Sequence, residues 1–168
     1  MKESIQFVAH PWGAIYNENS KILILGTMPS PKSRVLGSPY ANPQNVFWKT
    51  IAEVLDKAEP EKTPEARRTF LLENRIALWD VLKSCDIKGA SDAHIQNAVV
   101  NDFREVFQTA DIQKVFTTGK AATKYFNQFC AETYGRVAEY LPSTSSANCA
   151  MHRKPEFLEE WKKIKGYL

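Results

Sequence analysis

The chain has 168 residues, 43% hydrophobic and 24% charged, with 22 Lys and Arg against 19 Asp and Glu for a net charge of +3. This composition fits one globular domain over 1–168 with a single core. No apolar run approaches the roughly 20 residues of a membrane helix, and the charge permits a polyanionic partner without demanding one.

The opening segment Met1-Lys2-Glu3-Ser4-Ile5-Gln6-Phe7 lacks the apolar centre of a signal peptide, so a cytoplasmic protein is expected. Lys21-Ile22-Leu23-Ile24-Leu25, closed by Gly26, reads as a buried parallel strand. Asn42-Pro43 reads as a helix cap plus first-turn proline. Phe47, Ile51, Val54, Leu55 and Ala58 then follow at helical spacing. Thr63-Pro64-Glu65 repeats that start signal for a helix burying Phe70, Leu71 and Leu72. Ile76-Ala77-Leu78-Trp79 predicts a second buried strand ending at Asp80.

Residues 83–100, with a turn at Lys88-Gly89-Ala90-Ser91, read mostly as loop, and Asn101 or Asp102 as the cap of a short helix through Gln108. Ile112–Thr118 predicts a third strand stopped by Gly119-Lys120, followed by a helix from Ala121 to about Thr133. Val137–Leu141 is the fourth strand, and Pro155 opens a last helix burying Phe157, Leu158, Trp161 and Ile164. Strands alternating with helices imply right-handed crossovers, hence a three-layer α/β/α sandwich around a four-stranded parallel sheet.

Two polar, proline-fixed loops follow strands: Gly26-Thr27-Met28-Pro29-Ser30 and Leu141-Pro142-Ser143-Thr144-Ser145-Ser146-Ala147-Asn148. Ligands of open α/β sheets bind outside the carboxyl ends of the strands, so both loops are expected at one crevice. Gly26 allows close backbone approach. Lys32, Ser33 and Arg34 mix hydroxyl and cationic groups suited to phosphates. Asn45, near a helix start, either caps that helix or orients a water or a base edge. Phe47 and Trp48 are adjacent, so they face different ways; one is core and the other is available as a flat wall for a ring. Ser143, Ser145 and Asn148 offer hydroxyls and an amide, while His152, Arg153, Lys154, Lys162, Lys163 and Lys165 crowd the same end of the chain. Cys85, Cys130 and Cys149 form no CxxC pair and have no histidine at zinc spacing, so free thiols and no metal are expected.

At Gly26-Thr27-Met28-Pro29-Ser30, Tyr40-Ala41-Asn42-Pro43-Gln44-Asn45-Val46-Phe47-Trp48, Ala77-Leu78-Trp79-Asp80-Val81-Leu82 through Asn101-Asp102-Phe103, and Leu141-Pro142-Ser143-Thr144-Ser145 with Asn148, the chain resembles the uracil-DNA glycosylase superfamily. The likeness is greatest to its hypoxanthine-DNA (deoxyinosine) branch, family 6. The resemblance implies a monofunctional enzyme, without cofactor or metal, that flips a deaminated base out of DNA and hydrolyses its N-glycosidic bond. It implies a monomer with DNA as partner and no membrane. Asn45 would be catalytic. Gly26, Thr27, Met28, Pro29, Ser30, Phe47, Ser143 and Asn148 would surround the base, with Phe47 stacked on it. Lys32, Ser33, Arg34, Ser145 and Arg153 would meet the DNA. Many members of the wider superfamily carry Asp or Asn where this chain has Met28, and His where it has Leu141. Their absence favours hypoxanthine over uracil. A uracil, xanthine or mismatch glycosylase on the same fold, or a non-catalytic nucleic-acid-binding module, is the alternative.

Overall fold

Four short runs of Ile, Leu, Val and Ala build the centre of the molecule. The computed structural model describes residues 4–89 and 91–168. In chain order, β1 (Ile5–Ala9) and β2 (Ile22–Gly26) precede α1 (Pro31–Leu36), α2 (Phe47–Val54) and α3 (Pro64–Glu73). Then come β3 (Ile76–Asp80), β4 (Leu82–Lys88), β5 (Ile95–Val100), α4 (Arg104–Thr109) and β6 (Lys114–Thr118). The chain ends with α5 (Lys120–Phe129), α6 (Ala131–Tyr134), β7 (Glu139–Leu141), α7 (Cys149–His152) and α8 (Pro155–Trp161).

The main sheet has four parallel strands, as expected from the sequence, and their order is β3-β2-β6-β7. Gly26 pairs with Asp80, and Thr118 with Leu141, so these residues share the carboxyl edge. All of β2 is buried, because both faces of a parallel sheet are covered. Leu23, Leu25, Ala77 and Val115 pack on one side with Phe103, Val106, Ala122 and Phe126. Ile22, Ile24, Ile76, Leu78 and Phe116 pack on the other with Phe47, Ile51, Leu71 and Trp161. The strand period of two thus feeds two cores, which makes the third layer necessary.

Residues 83–100 are not mostly loop. They form most of a three-stranded antiparallel sheet, β1-β4-β5, with Val8 opposite Cys85. Val8, Leu82, Cys85 and Ile87 bury one face of it in the first core. The turn expected at Lys88–Ser91 includes Ala90, and the segment read for a leader includes residues 1–3; these positions lie outside the described residues.

Several boundaries differ from expectation: β6 starts at Lys114 and β7 at Glu139, each two residues late, and α2 ends at Val54. Asn42 does not cap α2: its Oδ1 accepts from Gln44 N at 3.0 Å and its carbonyl from Asn45 N at 2.9 Å, a turn that delays the helix to Phe47. The helix after Gly119 breaks at Cys130, whose φ of −121° ends α5 before α6 begins. Of the two cap candidates before α4, Asp102 accepts from Arg104 N at 3.0 Å, whereas Asn101 caps nothing. It is buried, and its Nδ2 donates to Asp80 O at 2.9 Å and Leu82 O at 3.1 Å, pinning the junction of β3 and β4.

Candidate active site at the carboxyl edge of the parallel sheet

Backbone hydrogen bonds assemble the crevice. Val81 N donates to Gly26 O at 2.8 Å and Leu82 N to Thr27 O at 3.1 Å, fastening the first loop to the end of β3. Val46 N donates to Thr144 O at 3.1 Å, joining the start of α2 to the serine-rich loop. Gly119 N donates to Leu141 O at 2.8 Å, and an added Cβ at Gly119 would lie 3.5 Å from Ser143 Cβ, so the end of β6 abuts the same loop.

Asn45 is half-buried beside that Val46–Thr144 bond. Its Oδ1 accepts from Phe47 N at 2.9 Å. Because a backbone N–H can only donate, this bond fixes the flip of the amide and leaves the Nδ2 donors turned away from the helix start. Nδ2 makes no hydrogen bond with the described residues. The oxygen therefore caps the helix start, one of the two roles its position allowed, and the nitrogen stays free.

Phe47 is not the open wall expected of it. It is fully buried, with Trp48 edge-on at 5.0 Å and Trp161 edge-on at 5.9 Å. Its remaining face is covered by Tyr40, parallel within 9° at a centroid distance of 4.1 Å. Trp48 is buried as well, so both adjacent aromatics belong to the core. The half-buried ring of Tyr40 is the aromatic layer outside Phe47. Tyr40 sits at φ 50°, a left-handed backbone that brings its hydroxyl to 3.3 Å from Thr118 Oγ1. Burial, reinforced by Asp80, pushes its phenol well above the usual range.

Sequence reasoning passed over the floor of the crevice. Asp80 is 7% exposed, and its Oδ2 lies 2.7 Å from His10 Nε2. Trp12 N donates to His10 Nδ1 at 3.3 Å, so Nδ1 is the acceptor and Nε2 carries the proton given to Asp80. Asp80 Oδ1 has no hydrogen-bond partner among the described residues. It lies 2.5 Å from where a Gly26 Cβ would be, and Tyr40 Oη lies 2.9 Å from the same point. The absence of a side chain at Gly26 is what lets the carboxylate and the phenol converge. The available signal was Asp80 at a strand end, but its partner is 70 residues away.

The other expected residues divide. Thr27 and Pro29 are buried, and Met28 and Ser30 half-buried, along the first loop. Ser30 Oγ caps α1 by accepting from Ser33 N at 3.2 Å. Ser33 is turned inward: it is 2% exposed, and its Oγ accepts from Ala41 N at 3.1 Å, which braces the loop rather than facing a ligand. Arg34 donates to Pro29 O at 2.7 Å, whereas Lys32 is exposed. In the second loop, Ser143 O accepts from Asn148 Nδ2 at 3.0 Å and lies 2.9 Å from His152 Nε2, and Ser143 Oγ accepts from Ser145 N at 3.2 Å. Asn148 thus shapes the loop from within. Ser145 is half-buried and accepts from Ala147 N at 3.3 Å; Arg153 is exposed. The rim between α2 and α8 is a cavity of about 340 Å³ lined by Lys49, His152, Arg153 and Lys154 with Glu53.

A parallel α/β/α sandwich carries at its carboxyl edge an amide, a buried carboxylate and an aromatic ring, groups suited to a planar polar ligand. The profile of the Uracil DNA glycosylase superfamily matches residues 14–165, and the chain belongs to that superfamily. It is similar to a protein named Hypoxanthine DNA glycosylase from Methanosarcina acetivorans, 30% identical over 152 residues, 90% of this chain and 94% of the relative. It is also similar to one of the same name from Methanosarcina barkeri, 29% identical over 135 residues, 80% of this chain and 84% of the relative. The solution NMR structure of a uracil DNA glycosylase candidate from Methanosarcina acetivorans superposes with a TM-score of 0.79 at 28% identity, covering 95% of this chain and 96% of that one. The chain is a DNA N-glycosylase. No helix among the described residues is long and apolar enough to cross a membrane.

Proposed function

We propose that this enzyme removes deaminated bases from DNA, with hypoxanthine preferred, and leaves an abasic site. It would act as a cytoplasmic monomer with no cofactor. The observation that carries the reading is the Val46–Thr144 bond, which sets the free amide of Asn45 against the serine-rich loop at the carboxyl edge of the sheet.

Glycosidic hydrolysis breaks the bond from the sugar C1′ to the base nitrogen. The electron pair leaves with the base, water adds to C1′, and the proton that water gives up ends on the departing base or in solvent. The transition state places positive charge on the sugar and negative charge on the base. A donor aimed at the base stabilises that anion, and removing one such donor typically costs about 10²–10³ in rate. Asn45 Nδ2 is the donor suited to that role. Hypoxanthine shows a carbonyl oxygen and a ring N–H on its pairing edge. The oxygen fits the amide, and the N–H fits the unpartnered Oδ1 of Asp80. Adenine, with a ring acceptor and an amino group there, would set a lone pair against the carboxylate.

Tyr40, rather than Phe47, is the ring on which an extruded base would stack. Lys32, Arg153 and the basic rim with Lys49 and Lys154 suit the flanking phosphates. The names of the two relatives support the preference for hypoxanthine.

The test is base release from matched duplexes carrying deoxyinosine, deoxyuridine, deoxyxanthosine or undamaged bases, read as strand breaks after alkali. Cleavage at deoxyinosine, lost in Asn45→Ala, is the expected result. Salt-sensitive binding with no base released from any duplex would overturn the catalytic reading in favour of a binding module.

A further inference from the structure

We propose that a second cavity, on the β3 side of the crevice, holds a neighbouring nucleotide of the damaged DNA strand; this rests on the DNA reading given above. The cavity measures about 290 Å³, room for one planar base. Trp12 and Pro39 give it flat apolar walls, buried Trp48 lies behind Arg67, and Arg67, Arg68 and Ser38 supply polar groups.

Its position follows from the fold. Helix α3 begins at Pro64 and leads into the start of β3, so its first turns, bearing Arg67 and Arg68, lie at the carboxyl edge of the parallel sheet. Trp12 packs edge-on against His10 at 5.3 Å, the same His10 that holds Asp80. Pro39 lines the cavity, its carbonyl accepts from Trp48 Nε1 at 3.2 Å, and the next residue is Tyr40. One stretch of backbone therefore separates the cavity from the ring on which the extruded base would stack. A strand threading the crevice passes this opening within a nucleotide.

A second observation points to a ligand in the cavity. Ser38 Oγ and Arg67 Nε are both buried without a hydrogen-bond partner, and both residues line it. Ser38 is 3% exposed. Buried polar groups are nearly always paired, so two orphans at one cavity call for an acceptor between them. Arg67 can only donate, and its guanidinium lies 5.0 Å over the ring of Trp48. Flat apolar walls, a buried donor, a hydroxyl and two cations together describe a planar heterocycle with ring or carbonyl acceptors and an attached phosphate. DNA presents that chemistry next to every lesion.

The experiment shortens a deoxyinosine strand one nucleotide at a time from each side and measures kcat/KM and, by anisotropy, affinity. Stacking of one base is worth on the order of tenfold in binding. Wild-type protein should therefore show one step of about that size when the neighbour filling the cavity is removed. Trp12→Ala and Arg68→Ala should bind and process the long substrate about tenfold less well and lose the step. Arg68 is exposed, so its variant reports on the cavity without disturbing the core. Variants that keep the wild-type step, or a wild type with no step on either side, would overturn the assignment. So would a free mononucleotide that quenches the tryptophan fluorescence while the step persists in both variants. The affinity series stands apart from turnover: a cavity-dependent step without base release keeps the subsite and discards the glycosylase reading.

Discussion

Tyr40 and Phe47 lie face to face, planes 9° apart and centroids 4.1 Å apart, with only Tyr40 reaching toward the crevice. The pair separates stability from chemistry. Phe47→Ala would leave a void beneath two tryptophans and cost about 3–5 kcal/mol of unfolding free energy. Tyr40→Ala is expected to lower base release by tenfold or more with a much smaller loss of stability. Denaturant unfolding and single-turnover rates on both variants check this; equal stability losses with unequal rates in the opposite sense would refute it.

Gly26 should tolerate no side chain. The Cβ of Gly26→Ala would lie 2.5 Å from Asp80 Oδ1 and 2.9 Å from Tyr40 Oη, both closer than real contacts allow. Displacing the carboxylate and the phenol is expected to reduce kcat/KM on deoxyinosine by about 10²-fold, the order of a lost positioning group. Wild-type activity in this variant would show that neither group takes part.

His10 holds Asp80 from behind. His10→Ala removes the donor to a carboxylate oxygen that has few other options, and is expected to destabilise the protein by about 1–3 kcal/mol. His10→Gln, whose amide N–H can replace the lost donor, should restore part of that loss. Thermal unfolding of the two variants side by side decides the matter, and indistinguishable melting points would remove His10 from its bracing role.

Thr144 offers the reverse case. Its Oγ1 is buried without a partner while its carbonyl receives Val46 N. Thr144→Val keeps the shape and the backbone bond and removes an unpaired hydroxyl, so it should leave stability unchanged or raise it by about 1 kcal/mol. A loss of stability on urea unfolding would reveal a bond that the hydroxyl makes.

Alkaline pH should weaken the fold. Burial pushes the Cys130 thiol from 9.0 up to about 11, and that of Cys85 up as well. Below pH 9 both states hold the proton. As pH rises from 9 to 11 the unfolded chain loses it first, so stability present below 9 declines across that window. In the native protein one thiol, exposed Cys149, should react quickly with a disulfide reagent, with two more appearing only on unfolding. Three fast thiols at pH 8 would contradict the burial.

The parallel sheet was legible because β2 and β3 are short apolar runs, and a glycine or polar loop marks where most of its strands stop. The antiparallel sheet was not. In β1 only Val8 is buried, and in β5 no residue is fully covered, so alternation was too weak to distinguish these strands from loop. Gly26, Asn45 and the serine-rich loop were legible by position along the chain. The Phe47 assignment failed because a residue that begins a helix can point under the preceding turn, and only three dimensions show Tyr40 lying over it. Asp80 with His10, and Ser38 with Arg67, are pairs of distant residues that no local spacing announces.

The backbone hydrogen bond from Val46 N to Thr144 O also has a bearing on biogenesis. It spans most of the chain, so closing it carries a large entropic toll and comes late in folding. A nascent polypeptide emerging from the ribosome would own no mouth for DNA until the serine-rich loop, and the Trp161 that packs against Phe47, had been made. Catalytic competence would then be gained only with the carboxy-terminal segment, and half-made copies would pass over the genome without releasing its bases.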